Sequence, residues 1–174
     1  MLIQWEWSIL TEIELMKIQV EVLFKHNHLG RMTEINEPNH LQAPLFFLGR
    51  TKLGNVTRFH TKMANSLINE VNQYLTESDS NVDLAFLTTI LKKEAPVNNF
   101  WMGPAYVFPY NIKKSSSTIK ITDENKTLLQ TFFPYLVNKL EWIQPCLVVL
   151  KDGHAVSVCC SARKNSLAAE ASLE

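Results

Sequence analysis

Near the end of the chain a single carboxylate, Glu170, stands between alanines in the run "LAAEASLE". In a short apolar strand such a group has the chemistry of a general base, provided that it is partly buried and within reach of the proton it removes. The plainer role is an outward-facing residue on an edge strand. A second candidate group is aromatic. Trp101, Tyr106 and Phe108 crowd the stretch "FWMGPAYVFP" together with Phe100, and they could line a substrate groove. Core or sheet packing is the alternative use of the same rings.

Other chemistry-bearing residues lead nowhere. His26, His28 and His40 lie close in sequence, but zinc would need further ligands at defined spacing, and no Cys or His pair supplies them. They read as exposed turn histidines. Cys159 and Cys160 are adjacent on an expected strand, so their side chains point to opposite faces and do not share a metal. On that strand Cys160 shares a face with Val156 and Val158, and Ser157, Cys159 and Ser161 share the other. No G-x-S-x-G elbow positions a serine nucleophile. The five glycines are isolated, so no G-x-G-x-x-G or phosphate loop exists. His154 reads as a solvated turn residue.

Composition sets the outer bounds. The 174 residues are 46% apolar and 20% charged, enough to bury a core. Seventeen Lys and Arg balance seventeen Asp and Glu, which argues against nucleic acid as a partner, since that footprint is a clustered positive excess. The pairs Lys113-Lys114 and Arg163-Lys164 read as solvated turns. No apolar run approaches the roughly 18 residues of a membrane span. The N-terminus lacks the basic start and small-residue cleavage site of a signal peptide. Three cysteines make no disulfide framework, so the expectation is a cytoplasmic protein.

The elements that must position the candidates follow from periodicity. Ile9, Ile13, Met16, Val20 and Leu23 recur at helical steps, predicting a helix over 9–25 that stops before Gly30. "RMTEINEP" predicts a short strand. "APLFFLGRT" and "NVTRFH" predict a hairpin joined by "KLGN". Met63, Leu67, Val71 and Leu75 predict a second helix with Thr61 as its N-cap. The stretch "SDSN" ends it and caps a third, "VDLAFLTTILKKE". "FWMGPAYVFP" reads as extended and "NIKKSSSTIKI" as a polar surface loop. A fourth helix opens at Asp123 and is kinked or broken at Pro134. "PCLVVLKDGHAVSVCCSA" then places two apolar strands around Asp152-Gly153, a strong hairpin signal. The fold class is α/β of the α+β kind, with a mixed, mostly antiparallel sheet and flanking helices.

The end of the chain resembles the central strands of the GNAT N-acetyltransferase superfamily. Val156-Ser157-Val158-Cys159, Ser161-Ala162-Arg163 and Ala168-Ala169-Glu170-Ala171 match a hairpin of the sense V-S-x-C-x-S-A-R followed by a strand like A-A-E-A-G-V-E-T. "GRMTEINEP", "APLFFLGRT", "GNVTRFH" and "FWMGPAYVFP" resemble the N-terminal half of a bacterial branch, so the likeness covers most of residues 20–174. The whole chain then reads as a single GNAT-like region. A soft boundary near 96–122 separates an N-terminal extension, 1–122, from the GNAT-type helix and strands, 123–174.

The resemblance implies acetyl transfer from acetyl-CoA to an amine, with Glu170 where some members place the base. It also implies a loop, R/Q-x-x-G-x-G/A, whose backbone N–H groups hold the acetyl-CoA pyrophosphate. The sequence stops before that loop, and Ser172 stands where the pattern has Gly. The expectation is therefore a truncated acetyltransferase, inactive on its own and binding acetyl-CoA poorly. The rival expectation is a non-catalytic binding or interaction module derived from the N-terminal half of such an enzyme. Either way the last strand would keep an unpaired edge, which favours a homodimer.

Overall fold

The computed structural model describes residues 10–78, 81–106 and 117–174. They form an α+β fold whose strands lie in three antiparallel sheets. The chain divides into two compact units, one of residues 1–35 and 41–106, the other of residues 36–40 and 107–174.

The first unit opens with helix α1, Glu12–Leu23. Thr11 Oγ1 accepts from Glu14 N–H while Glu14 reaches back to the Thr11 N–H, a reciprocal cap that satisfies two orphan donors. Strand β1, Phe24–His26, follows directly and pairs with β2, Met32–Ile35. β3, Phe46–Thr51, and β4, Gly54–Phe59, form the expected hairpin in unbroken register. Met16 and Val20 of α1 bury against Val56 of β4.

Helix α2, Asn65–Glu77, starts at Ala64 and not at Thr61. Thr61 is engaged elsewhere. Its N–H donates to the Met32 carbonyl, beside a parallel bridge between Met32 and His60. Ala64 has no capping side chain, and the Glu94 carboxylate accepts its N–H at 3.0 Å instead. An anion at that end also suits the helix dipole. Helix α3, Leu84–Leu91, is capped by Asp83, which lies inside the segment expected to be helical. Phe59, Met63, Val71, Leu75, Leu87 and Ile90 form the core between these helices and the hairpin.

The second unit holds the sheet β5-β6-β7-β8, with β5 Thr118–Lys120, β6 Cys146–Lys151, β7 His154–Lys164 and β8 Ala169–Leu173. β5 lies at the end of the stretch expected to be a polar loop. β6 and β7 turn at Asp152 and Gly153, with φ of 52° and 79°. Positive φ at both central residues matches the turn to the strand twist.

The fourth expected helix is not continuous. A 3-10 turn spans Lys126–Leu129, and helix α4 is a single turn, Pro134–Val137. Pro134 supplies no N–H and restricts Phe133, which leaves the helical region. The apolar spacing survives the break. Leu129, Phe133, Leu136, Leu140 and Ile143 still bury on Ile121, Cys146, Val148, Val158 and Cys160.

Candidate functional site

β7 is irregular twice, and the irregularities decide which side chains meet. Between Val149 and Leu150 of β6 the pairing shifts, so that Val156 becomes the extra residue opposite them. Ala155 then enters the core with Val158 and Cys160, while Val156 is exposed. The strict alternation that put Val156 with Val158 and Cys160 fails there because a bulge resets the phase. A second shift lies between Ser161 and Arg163, past which Arg163 stands opposite Glu170 and Lys164 opposite Ala169.

That second bulge builds a charged clamp. Arg163 donates through Nη1 to Glu170 Oε2 at 2.6 Å and through Nη2 to Glu37 Oε1 at 2.5 Å. The three side chains are 24%, 31% and 23% exposed, so none is freely solvated. Arg163 Nε is buried with no partner among the described residues. Beside the clamp, Asn36 Nδ2 donates to the Lys164 carbonyl at 3.0 Å. Arg163 was expected in a solvated turn. It is in fact a strand residue held between two carboxylates. A basic pair before a polar turn gave no hint of this, because the two bulges that aim Arg163 have no mark in its own sequence. Replacing it with Leu leaves two half-buried carboxylates without their cation. Arg163→Leu should cost about 1–3 kcal/mol in urea unfolding, and Glu170→Gln, which breaks one pair only, about half of that.

The candidate base Glu170 thus lies on β8 with one carboxylate oxygen occupied by a guanidinium. It borders a depression of about 160 Å³ lined by Pro145, Leu147, Cys159, Cys160, Ser161, Ala169, Glu170 and Ala171. Leu147, Cys159 and Leu173 stand in one cross-strand row beside it. Trp101 and Tyr106 belong to the other unit, and each is 87% exposed outside any helix or strand. Phe108 lies outside the described residues, as do Lys113 and Lys114. Glu170 lies in the second unit.

Acetyl-CoA does not fit the depression. Small-molecule sites run to about 300–1,000 Å³ and place polar groups around the ligand. Here the lining is apolar apart from Ser161, Glu170 and the thiols, and it includes no Lys or Arg. A pyrophosphate needs a cradle of N–H groups, and the one glycine of the second unit's described residues, Gly153, sits in the β6–β7 turn.

Cys146 and Cys160 do not replace this chemistry. Burial pushes Cys146 up to about 11 and raises Cys160 as well. Thiols so placed are packing residues, not nucleophiles.

Two histidine side chains are largely covered, and one of them, His26, departs from the exposed-turn expectation. His26 is the first, its Nδ1 3.0 Å from Glu21 Oε2, while Glu21 Oε1 accepts from Arg58. His60 is the second, with Nδ1 accepting from the Lys62 N–H at 3.0 Å. His28 and His40 are exposed as expected. His154 is exposed too, with Nδ1 3.2 Å from Thr131 Oγ1. No cluster of three metal-ligating side chains exists among the described residues, and no described helix is long and apolar enough to cross a membrane.

The main chain of β8 offers a different kind of site. Asn165 N–H donates to the Ala168 carbonyl, and Val158 and Glu174 exchange both of their backbone bonds at 2.9 and 3.0 Å. Alternation along the strand turns the backbone of residues 168, 170, 172 and 174 toward β7. Residues 169, 171 and 173 then point their N–H and C=O groups away from the sheet. β8 is the last strand in its order, so among the described residues nothing pairs with them. Comparison of the chain with protein-family models, with curated proteins and with solved structures returned no match.

Proposed function

We propose that this chain is an interaction module built on the strand scaffold of a GNAT-type N-acetyltransferase, and that by itself it does not transfer acetyl groups. The observation that carries the reading is β8, which ends a four-stranded antiparallel sheet with the backbone of Ala169, Ala171 and Leu173 facing outward. An unpaired edge of that kind recruits another strand. The partner we assign is a second copy of the chain, forming a homodimer through β8. Balanced charge speaks against nucleic acid, and three unpaired cysteines support a reducing, cytoplasmic setting.

Two features support the acetyltransferase ancestry. The residues Val156 to Arg163 and Ala168 to Ala171 carry the resemblance, and the Asp152-Gly153 hairpin lies directly beside the Ala169–Leu173 strand, as the resemblance requires. Two others support the loss of catalysis. Glu170 holds Arg163 instead of standing free to take a proton, and the depression beside it is too small for acetyl-CoA.

Isothermal titration of acetyl-CoA into the purified chain tests this. No saturable heat up to millimolar ligand is expected. A low-micromolar dissociation constant, or turnover of an amine acceptor, would return the chain to the enzymes.

A further inference from the structure

The edge of β8 specifies not only that a second copy binds but in which register. We infer that two β8 strands pair antiparallel across a two-fold axis through Ala171. The inference rests on the homodimer reading above and adds its geometry.

Two requirements select the register. The first is backbone parity. Only residues 169, 171 and 173 point outward, so each must stand opposite one of the same set in the second copy. Three antiparallel registers set at least two of these residues opposite members of the set, with the two-fold axis at residue 170, 171 or 172, and the axis at 171 does so for all three. The second requirement is charge. An axis at Glu170 sets Glu170 directly opposite the second copy's Glu170. An axis at Ser172 sets Glu170 opposite the second copy's Glu174. Like charges directly opposed destabilise a strand pair. The axis at Ala171 alone avoids both conflicts, with Glu170 opposite Ser172 and Ala169 opposite Leu173.

Packing agrees with that choice. Leu173 is 72% exposed in the single chain, and Ala169 and Ala171 carry small side chains on its face. In the Ala171 register each Leu173 lies against an alanine of the second copy. The cross-strand row of Leu147, Cys159 and Leu173 then runs on into the second sheet. The interface is isologous, as a two-fold axis demands.

The experiment is sedimentation equilibrium on the full 174-residue chain and three variants, with circular dichroism on each to verify folding. Wild type is expected to be a reversible dimer. Ala171→Pro removes an outward N–H at the axis, at an edge position where proline leaves the β7 pairing intact, and should give a monomer. Ser172→Glu sets two like-charge pairs in the interface and should weaken the dimer about 2- to 30-fold. Ser172→Lys sets two opposite-charge pairs and should tighten it by a similar factor. With the axis at Ser172 itself, the lysine would face its own copy and weaken the dimer instead. A monomeric wild type at high concentration overturns the homodimer reading and this register together. A wild-type dimer that Ala171→Pro leaves unchanged is not held by β8 and likewise overturns both, whereas a dimer that Ala171→Pro breaks and Ser172→Lys weakens overturns the register alone.

Discussion

Leu129→Ala is expected to destabilise the second unit by about 2–5 kcal/mol, the cost typical of truncating a fully buried leucine. Leu129 has no exposed surface and lies in the cluster that carries the sheet, with Ile121, Phe133, Leu136, Cys146, Val148 and Val158. The cost combines lost transfer energy with the cavity that remains. That cavity collapses poorly here, because the chain on either side of Leu129 is pinned. Phe133 N–H donates to the Leu129 carbonyl, and Pro134 fixes the backbone that follows. Leu128, only partly buried at the margin of the same cluster, should cost clearly less on the same change. Leu167, 72% exposed in the β7–β8 turn, should shift stability by no more than about 0.5 kcal/mol. Urea unfolding followed by the fluorescence of Trp142, which packs on this core, orders the three variants. Equal effects at positions 129 and 167 would mean that this core does not support the sheet.

Acid should loosen the first unit. Burial lowers the His26 imidazole below its ordinary value of 6.5, Glu21 opposes that, and Arg58 adds to it. Burial also lowers His60, the Lys62 ammonium adds to it, and the Thr33 carbonyl opposes it. Both groups therefore bind a proton more readily in the unfolded chain than in the folded one. The stability they contribute is complete above about pH 6.5, the unfolded value, and is lost as pH falls from there toward the lowered folded values. The slope is at most about 1.4 kcal/mol per pH unit for each histidine, and twice that where both titrate together. The geometry gives the same sign. His60 Nδ1 accepts the Lys62 N–H, a bond that protonation of that nitrogen abolishes. His26 Nε2 is buried without a partner among the described residues, so a proton there is left unsatisfied beside Arg58. Urea midpoints measured from pH 7.5 to 5.0 should fall with pH. His26→Leu, which keeps an apolar group of similar size, should flatten the fall by about half. A midpoint that is level or rises on acidification contradicts the account.

The parts of the fold that depend on neighbouring residues could be read from the sequence. Asp152-Gly153 announced its turn because only such residues tolerate positive φ in succession. The β3–β4 hairpin and helices α1 and α2 followed from apolar spacing. What failed depended on distant partners. Thr61 looked like a cap but is held by β2, and the N-terminus of α2 is served by Glu94 from thirty residues away. The break at Pro134 was expected, but the helical stretches on either side of it were overcalled because the apolar period outlived them. His26 and Arg163 looked like surface residues, and each is partly covered and paired, His26 with Glu21 and Arg163 with Glu37 and Glu170. Of the candidate site, Glu170 was placed on an edge strand, while its guanidinium partner depends on a bulge that no local pattern marks.

The central claim, that the outward backbone of β8 binds a second copy, has a direct measure in amide hydrogen exchange on the native chain as a function of its concentration. The amides of Ala169, Ala171 and Leu173 should exchange fast in dilute solution and slow markedly as the chain is concentrated, while the β7-facing amides of Glu170 and Ser172 change much less. Fast exchange at Ala171 and Leu173 at every concentration would contradict it.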